Sequence, residues 1–399
     1  MEKKMFKFEK IFLDIIFKYK DKLFLLVISI LGLFIRYQGI HFISWDMKNF
    51  LIPWYNVIDA KGGLHSLGTQ VGDYNILYQT FVALITYLHR NCVVMYKILS
   101  ILFDYILAMS AGLLCMRLTK KNNSFIFSSI YSIVLFLPTV ILNSSYWGQC
   151  DSIYTTFVIL TLLFLFEEKY LLSFIMLGLG FSFKFQTIFI VPFIICYYVY
   201  KKRFSIMYFL ASVGIFWLSG LPAYLNGRNL LAPFKIYANQ TGTYKQMSIS
   251  APSFWILIGN DYKLLHLTAI ILTVALCGIA LYLIMSGKIN LENATSYMAA
   301  AAWFTWTCPL FLPAMHERYT YLLDILLVVL TFMDNKYLKY AAISILISII
   351  TNCASLFGTW HFAIQWCIIA CVLAWVHFTY TLLNDNKNSN QEEITTEQS

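Results

Sequence analysis

Charge is scarce in this sequence. Only 12% of its 399 residues are Asp, Glu, Lys or Arg, against 59% that are hydrophobic. A soluble core of that size needs far more polar surface to cover it, so the composition excludes a water-soluble globular protein. No polar stretch is long enough to be a separate soluble domain or a linker. The nine cysteines sit mostly inside apolar runs, with neither a paired framework nor metal-ligand spacing, and read as small buried hydrophobes. A Gly-rich phosphate loop, a nucleotide fingerprint and an HExxH motif are all missing, which leaves cytosolic nucleotide chemistry without support.

What is abundant is apolar runs of membrane-spanning length. A spanning helix needs about 20 such residues, and the mean hydropathy is +0.67. The runs predict an all-α polytopic membrane protein of about twelve spans. They lie near 23–39, 94–116, 124–142, 152–166, 170–183, 187–200, 204–224, 264–286, 294–313, 319–333, 339–357 and 360–383. One integral-membrane domain over 1–383 is expected, followed by a disordered polar tail, 384–399.

The net charge of +9 does not point to nucleic acid, because the lysines are placed for a membrane. Seven fall in the first 22 residues, with Met5, Phe8, Phe12, Ile15 and Tyr19 at helical spacing. That pattern predicts a helix over 1–22 lying on an anionic cytoplasmic leaflet. No small-residue cleavage site follows, so a cleaved signal is not expected. With the N-terminus inside, 18 of the 29 basic residues fall on cytoplasmic segments, as the positive-inside rule requires. The first outer loop, 40–93, is too long for a hairpin and is expected to carry an interfacial or half-inserted helix over 75–88. A second long outer loop spans 225–263.

Several chemistry-bearing stretches then collect on the outer side. "FISWDMKNFLIPWY" places Asp46 directly after span one, beside Lys48 and aromatic residues that suit either an interfacial belt or stacking on sugar rings. "NSSYWGQCDS" carries Trp147, Gln149 and Asp151, the last of which is equally suited to capping a helix. "PAMHERYTYLLD" sets His316, Glu317, Arg318 and Tyr319 between apolar runs. Charges there are costly unless paired or contacting an anion. The Arg318 fork matches phosphate oxygens, although an ion pair with Glu317 explains it too. Lys184 in "FSFKFQ" is the second phosphate candidate, or a snorkelling lysine. The loop "YANQTGTYKQMSISAPSFW" has the hydroxyls, amides and aromatics that hold a polar ring.

Taken in order, Asp46 with "PWY", "WGQCD" at 147–151, "SAPSFW" at 250–255 and "HERY" at 316–319 resemble the GT-C superfamily of glycosyltransferases. Within it they look like those of the bacterial relatives of the GPI mannosyltransferases. The resemblance runs through most of the chain. It implies a GT-C-like bundle, a polyprenyl-phosphate-linked sugar as donor, a glycan or lipid-linked acceptor, and an active site on the extracytoplasmic face of the cell membrane. Where several eukaryotic relatives carry a DxD-like pair, "SWDMK" holds one Asp. A divalent cation is therefore left open, with Lys48 as the alternative charge.

On these grounds Asp46 is the expected base, and Arg318, Lys184 and His316 bind the donor phosphate. Lys48, Trp147, Gln149, Asp151, Glu317 and Tyr319 contact sugar or acceptor. No protein metal ligand is expected. A lipid-linked sugar flippase and a polysaccharide polymerase or ligase are the competing readings.

Overall fold

The computed structural model describes residues 6–120, 123–359 and 364–397, with side chains to 386. It is built almost wholly of helices: α1 (Lys7–Gly39), α2 (Ile52–Ala60), α3 (Ile76–Thr86), α4 (Cys92–Leu118), α5 (Ser124–Phe136), α6 (Pro138–Ile141), α7 (Asp151–Phe166), α8 (Tyr170–Phe183), α9 (Val191–Lys201), α10 (Met207–Leu218), α11 (Leu221–Leu225), α12 (Ala232–Gln240), α13 (Tyr262–Met285), α14 (Ala294–Phe311), α15 (Tyr321–Met333), α16 (Leu338–Phe357) and α17 (Ile364–Glu397). Two short strands, β1 (Ser248–Ile249) and β2 (Met315–His316), pair in parallel.

Helix starts follow from local chemistry. Asn75, Asn91, Asn123, Asp261 and Asn293 each accept a hydrogen bond from the first turn of the helix that follows, which satisfies backbone donors with no partner inside the helix. Pro138 breaks α5 from the helix after it, and the two halves meet at 52°. Proline cannot extend the ladder of the preceding helix.

Among the described residues, five helices are able by length and composition to cross a membrane, or six if that bent pair is one span. This is fewer than the twelve spans expected from the sequence. Length accounts for most of the difference: α7, α8, α9, α10 and α15 have 16, 14, 11, 12 and 13 residues. Two boundaries also change. Residues 7–22 are not a separate surface helix but run unbroken into the first span, giving one helix of 33 residues and about 50 Å. The tail is not free coil from residue 384: the backbone stays helical to Glu397, and buried Asn386 accepts from the Asn290 amide and the Ser296 hydroxyl. A helix does occupy most of 75–88, and it packs into the first loop beside α2 and α8.

The two ends of the bundle differ. One end is tied by exposed ion pairs, among them Lys169–Glu167, Lys201–Glu292 and Lys336–Asp385. The other end holds α2, α3, α12 and the strands. Between them, Arg36 on α1 and Asp104 on α4 form a buried pair at 2.8 Å. Arg36 also donates to the Gly32 and Leu135 carbonyls, while Ser144 donates to Asp104 at 2.5 Å. Buried Asp104 thus has both a cationic partner and a hydroxyl donor inside the bundle.

Candidate functional site

Two stretches of π-helix build the site. One, Met47–Leu51, begins directly after Asp46; the other, Leu142–Trp147, ends at Gly148. Such wide turns displace side chains from ordinary helical register and occur often at functional sites. Ser44 joins them, its hydroxyl accepting from the Met47 amide and donating to the Trp147 carbonyl, each at 3.1 Å. Gly148 has a φ of +75°, and a Cβ there would lie 2.4 Å from the Met47 methyl. The positive φ favours glycine, and a Cβ would also push the Met47 methyl aside.

This junction fixes one carboxylate oxygen. Asp46 Oδ2 accepts from Trp147 Nε1 and from Gln149 Nε2, both at 2.9 Å. Gln149 is itself oriented by Tyr74, whose hydroxyl donates to Oε1 at 2.7 Å. Among the described residues, Asp46 Oδ1 makes no hydrogen bond. The Asp46 side chain is 21% exposed, and it borders a cavity of about 730 Å³. That volume lies within the range of small-molecule sites.

A second carboxylate sits deeper. Asp151, fully buried at the start of α7, receives Lys184 Nζ at 2.5 Å and Asn143 Nδ2 at 2.7 Å. Lys184 reaches it because the backbone is extended there, between the end of α8 and the helical turn at Phe185–Ile190.

Arg318 closes the cluster. Its Nη1 lies 3.4 Å from Glu317 and 3.6 Å from Asp46, and its Nε lies 3.9 Å from Asp151. The guanidinium carbon stands 5.4 Å from the Trp147 ring centroid, a cation–π contact. None of the three carboxylate contacts is short, and Nε is buried without a hydrogen-bond partner. Burial opposes the Arg318 charge, but Glu317, Asp151 and Asp46 outweigh it and hold the group above its usual range. Burial pushes the Glu317 carboxyl upward. Burial first, then the charges of Arg318 and Lys184, lowers His316 to about 2, so its ring is neutral near pH 7.

The long second loop reaches the site through β1 and β2. Ser250 and Ala314 both have a φ of +61°, a costly conformation for residues with a side chain. It turns the chain so that His316 pairs with Ile249 and Ser250 and meets the Tyr244 ring at 5.0 Å. The "SAPSFW" stretch serves mainly as a clamp: Trp255 Nε1 donates to the Phe311 carbonyl at 2.6 Å.

Most of the expected residues thus converge. Asp46, Trp147, Gln149, Lys184, His316, Glu317, Arg318 and Tyr319 all border the cavity. Asp151 lies just behind it, bonded to Lys184. Lys48 does not line the cavity; its side chain is exposed, because the π-turn points it away from Asp46. Gln149 spends one bond at each end of its amide on Tyr74 and Asp46, so it positions Asp46 while bordering the cavity. Tyr74 and Asn143 were missed by sequence reasoning. Nothing in their spacing marks them, and only the fold brings Tyr74 across 75 residues to Gln149. Among the described residues, no three His, Cys, Asp or Glu side chains gather as a metal would require. Comparison with protein-family models, curated proteins and solved structures gives no match.

Proposed function

We propose that this chain is a membrane glycosyltransferase that moves a sugar from a polyprenyl-phosphate donor to an acceptor hydroxyl at the extracytoplasmic face. The observation that carries the reading is the Asp46 carboxylate. One oxygen is fixed by Trp147 and Gln149, the other is free beside a cavity, and two cations stand close by. The basic end of the bundle is then cytoplasmic, and the shorter helices α7 to α10 complete a polytopic bundle of about twelve crossings.

The chemistry follows from this placement. The acceptor oxygen attacks the anomeric carbon while Asp46 Oδ1 takes its proton. The bond from that carbon to the phosphate oxygen breaks, and its electron pair leaves with the polyprenyl phosphate. Arg318, supported by Lys184 and an N–H of neutral His316, meets the negative charge that develops on the phosphate. Attack opposite the leaving group inverts the anomeric centre. Asp151 keeps Lys184 in place, and Gln149 and Tyr74 orient the base. Tyr319, Tyr244 and Trp54 supply ring and hydroxyl surface to the sugar.

The test is sugar analysis of envelope polymers in a deletion strain, complemented with wild-type or Asp46→Asn protein at matched membrane levels. One sugar should vanish, return with wild type and stay absent with the variant. Full restoration by Asp46→Asn refutes the base. An unchanged sugar profile in the deletion strain removes the transferase reading and moves a lipid-linked sugar flippase ahead.

A further inference from the structure

Arg318 is surrounded by acid but not saturated by it. Three carboxylates approach at 3.4, 3.6 and 3.9 Å, all longer than a charge-assisted hydrogen bond of about 2.7–2.9 Å. The neighbouring pairs differ: Lys184 meets Asp151 at 2.5 Å, and Trp147 and Gln149 meet Asp46 at 2.9 Å. A guanidinium with an unpartnered buried Nε has donors to spare for a better-placed anion.

The three acids are unequal in how they would lose it. Asp151 keeps Lys184 and Asn143 whatever Arg318 does. Glu317 is adjacent in sequence and its side chain is only 4% exposed, so it moves with Arg318. Asp46 is the most exposed of the three and borders the cavity where a phosphate must enter. It also keeps two hydrogen bonds once Arg318 turns away.

Building on the transferase reading, we infer that Arg318 is an exchanged ion-pair partner: it holds Asp46 while the donor site is empty and passes to the donor phosphate on binding. The arrangement couples the two substrates. When a phosphate anion takes the guanidinium, the Asp46 carboxylate is released toward the acceptor while Trp147 and Gln149 still hold it, so the base is freed only when there is a donor to attack. Trp147 and Gln149 keep Oδ1 aimed at the cavity throughout.

Binding of farnesyl phosphate, a short isoprenyl monophosphate, to purified protein in nanodiscs tests this without knowledge of sugar or acceptor. Farnesol serves as the control without phosphate. Asp46→Asn removes the competing charge while its amide oxygen still accepts from Trp147 and Gln149, so it should tighten farnesyl phosphate binding about three- to tenfold and leave farnesol unchanged. Arg318→Gln should weaken farnesyl phosphate binding more than tenfold. If that variant does not fold, Arg318→Lys, which keeps the charge and loses the fork, should weaken it by a smaller factor. Should Asp46→Asn leave affinity unchanged or reduced while the Arg318 variants weaken it, the exchange is refuted and the phosphate site stands. Should the Arg318 variants bind as wild type does, the phosphate assignment itself falls, and the exchange with it.

Discussion

Replacing Arg36 with Met is expected to destabilise the protein by about 3–5 kcal/mol, the usual cost of removing one partner from a buried ion pair. The structure sets where in that range it should fall. Arg36 is 1% exposed and Asp104 is fully buried. The substitution strands a carboxylate whose Oδ1 already has no hydrogen-bond partner and whose Oδ2 keeps only Ser144. It also frees the Gly32 and Leu135 carbonyls, accepting at 3.2 and 2.9 Å. Gly32 retains its helical ladder, but Leu135 lies beside the break at Pro138, where ladder donors run out. The upper half of the range is therefore expected.

The double variant Arg36→Met, Asp104→Leu removes both charges and should recover most of the loss, since apolar replacement of a whole buried pair is often neutral. Unfolding in mixed micelles with rising SDS, followed by tryptophan fluorescence, reads each variant. The reasoning fails if Arg36→Met costs under 1 kcal/mol, or if the double variant is as unstable as the sum of the singles. The first result would mean that Asp104 is neutral in the fold, and the second that the two residues do not interact.

Two further outcomes follow from the site. Gly148→Ala places a side chain at a φ of +75° and 2.4 Å from the Met47 methyl; it should cost about 1–2 kcal/mol and lower sugar transfer in the complementation assay further than the stability loss explains. Met47→Ala in the same chain should restore part of the transfer by relieving the clash, and no restoration would refute the steric account. His316 bears on acid stability: its folded value near 2 lies below the usual 6.5, so between these limits the unfolded chain binds the extra proton. This residue's contribution should fall by up to about 1.4 kcal/mol for each pH unit below 6.5. Unfolding measured from pH 4.5 to 6.5 should give a shallower slope for His316→Gln than for wild type, and equal slopes would show that the ring is not held neutral.

The membrane class and the principal site residues were legible in the sequence for one physical reason. Ionisable groups at the edge of an apolar run are expensive, so Asp46, Asp151, Lys184 and the His316–Arg318 run stand out against their surroundings. The same signal is incomplete wherever partners decide roles. Gln149 reads as a ligand contact because its amide is polar, and the fold adds a second role, since it joins Tyr74 to Asp46. Lys48 looked like a site cation because it is two residues from Asp46, but the π-turn rotates it out to solvent. Span count depends on what hydropathy leaves out: it marks apolar length in sequence, whereas Pro138 bends one expected span into two helices at 52° and others form helices of only 11 to 16 residues.

The wide turns also explain how an apolar bundle holds a charged cluster in register. The Leu142–Trp147 π-helix is anchored below by Ser144, whose single hydroxyl hydrogen goes chiefly to Asp104 at 2.5 Å, with the Val140 carbonyl also in reach at 3.1 Å. It is anchored above by Trp147, which donates to Asp46. The Met47–Leu51 π-helix is anchored through Ser44 at one end and packs buried Met47 and Leu51 at the other. Lys97 fixes the segment between α1 and that turn by donating to the Gly39 and Phe42 carbonyls at 2.7 and 2.5 Å. Apart from the apolar packing of Met47 and Leu51, the anchors are polar groups with specific partners, and in a low-dielectric interior such groups bind geometry tightly because no water replaces a lost partner. The buried pair of Arg36 and Asp104 and the exposed carboxylate of Asp46 therefore belong to one connected framework. On the proposed transferase reading, a change to the first should reach the second through Ser144 and Trp147, lowering sugar transfer without any residue of the cavity being altered.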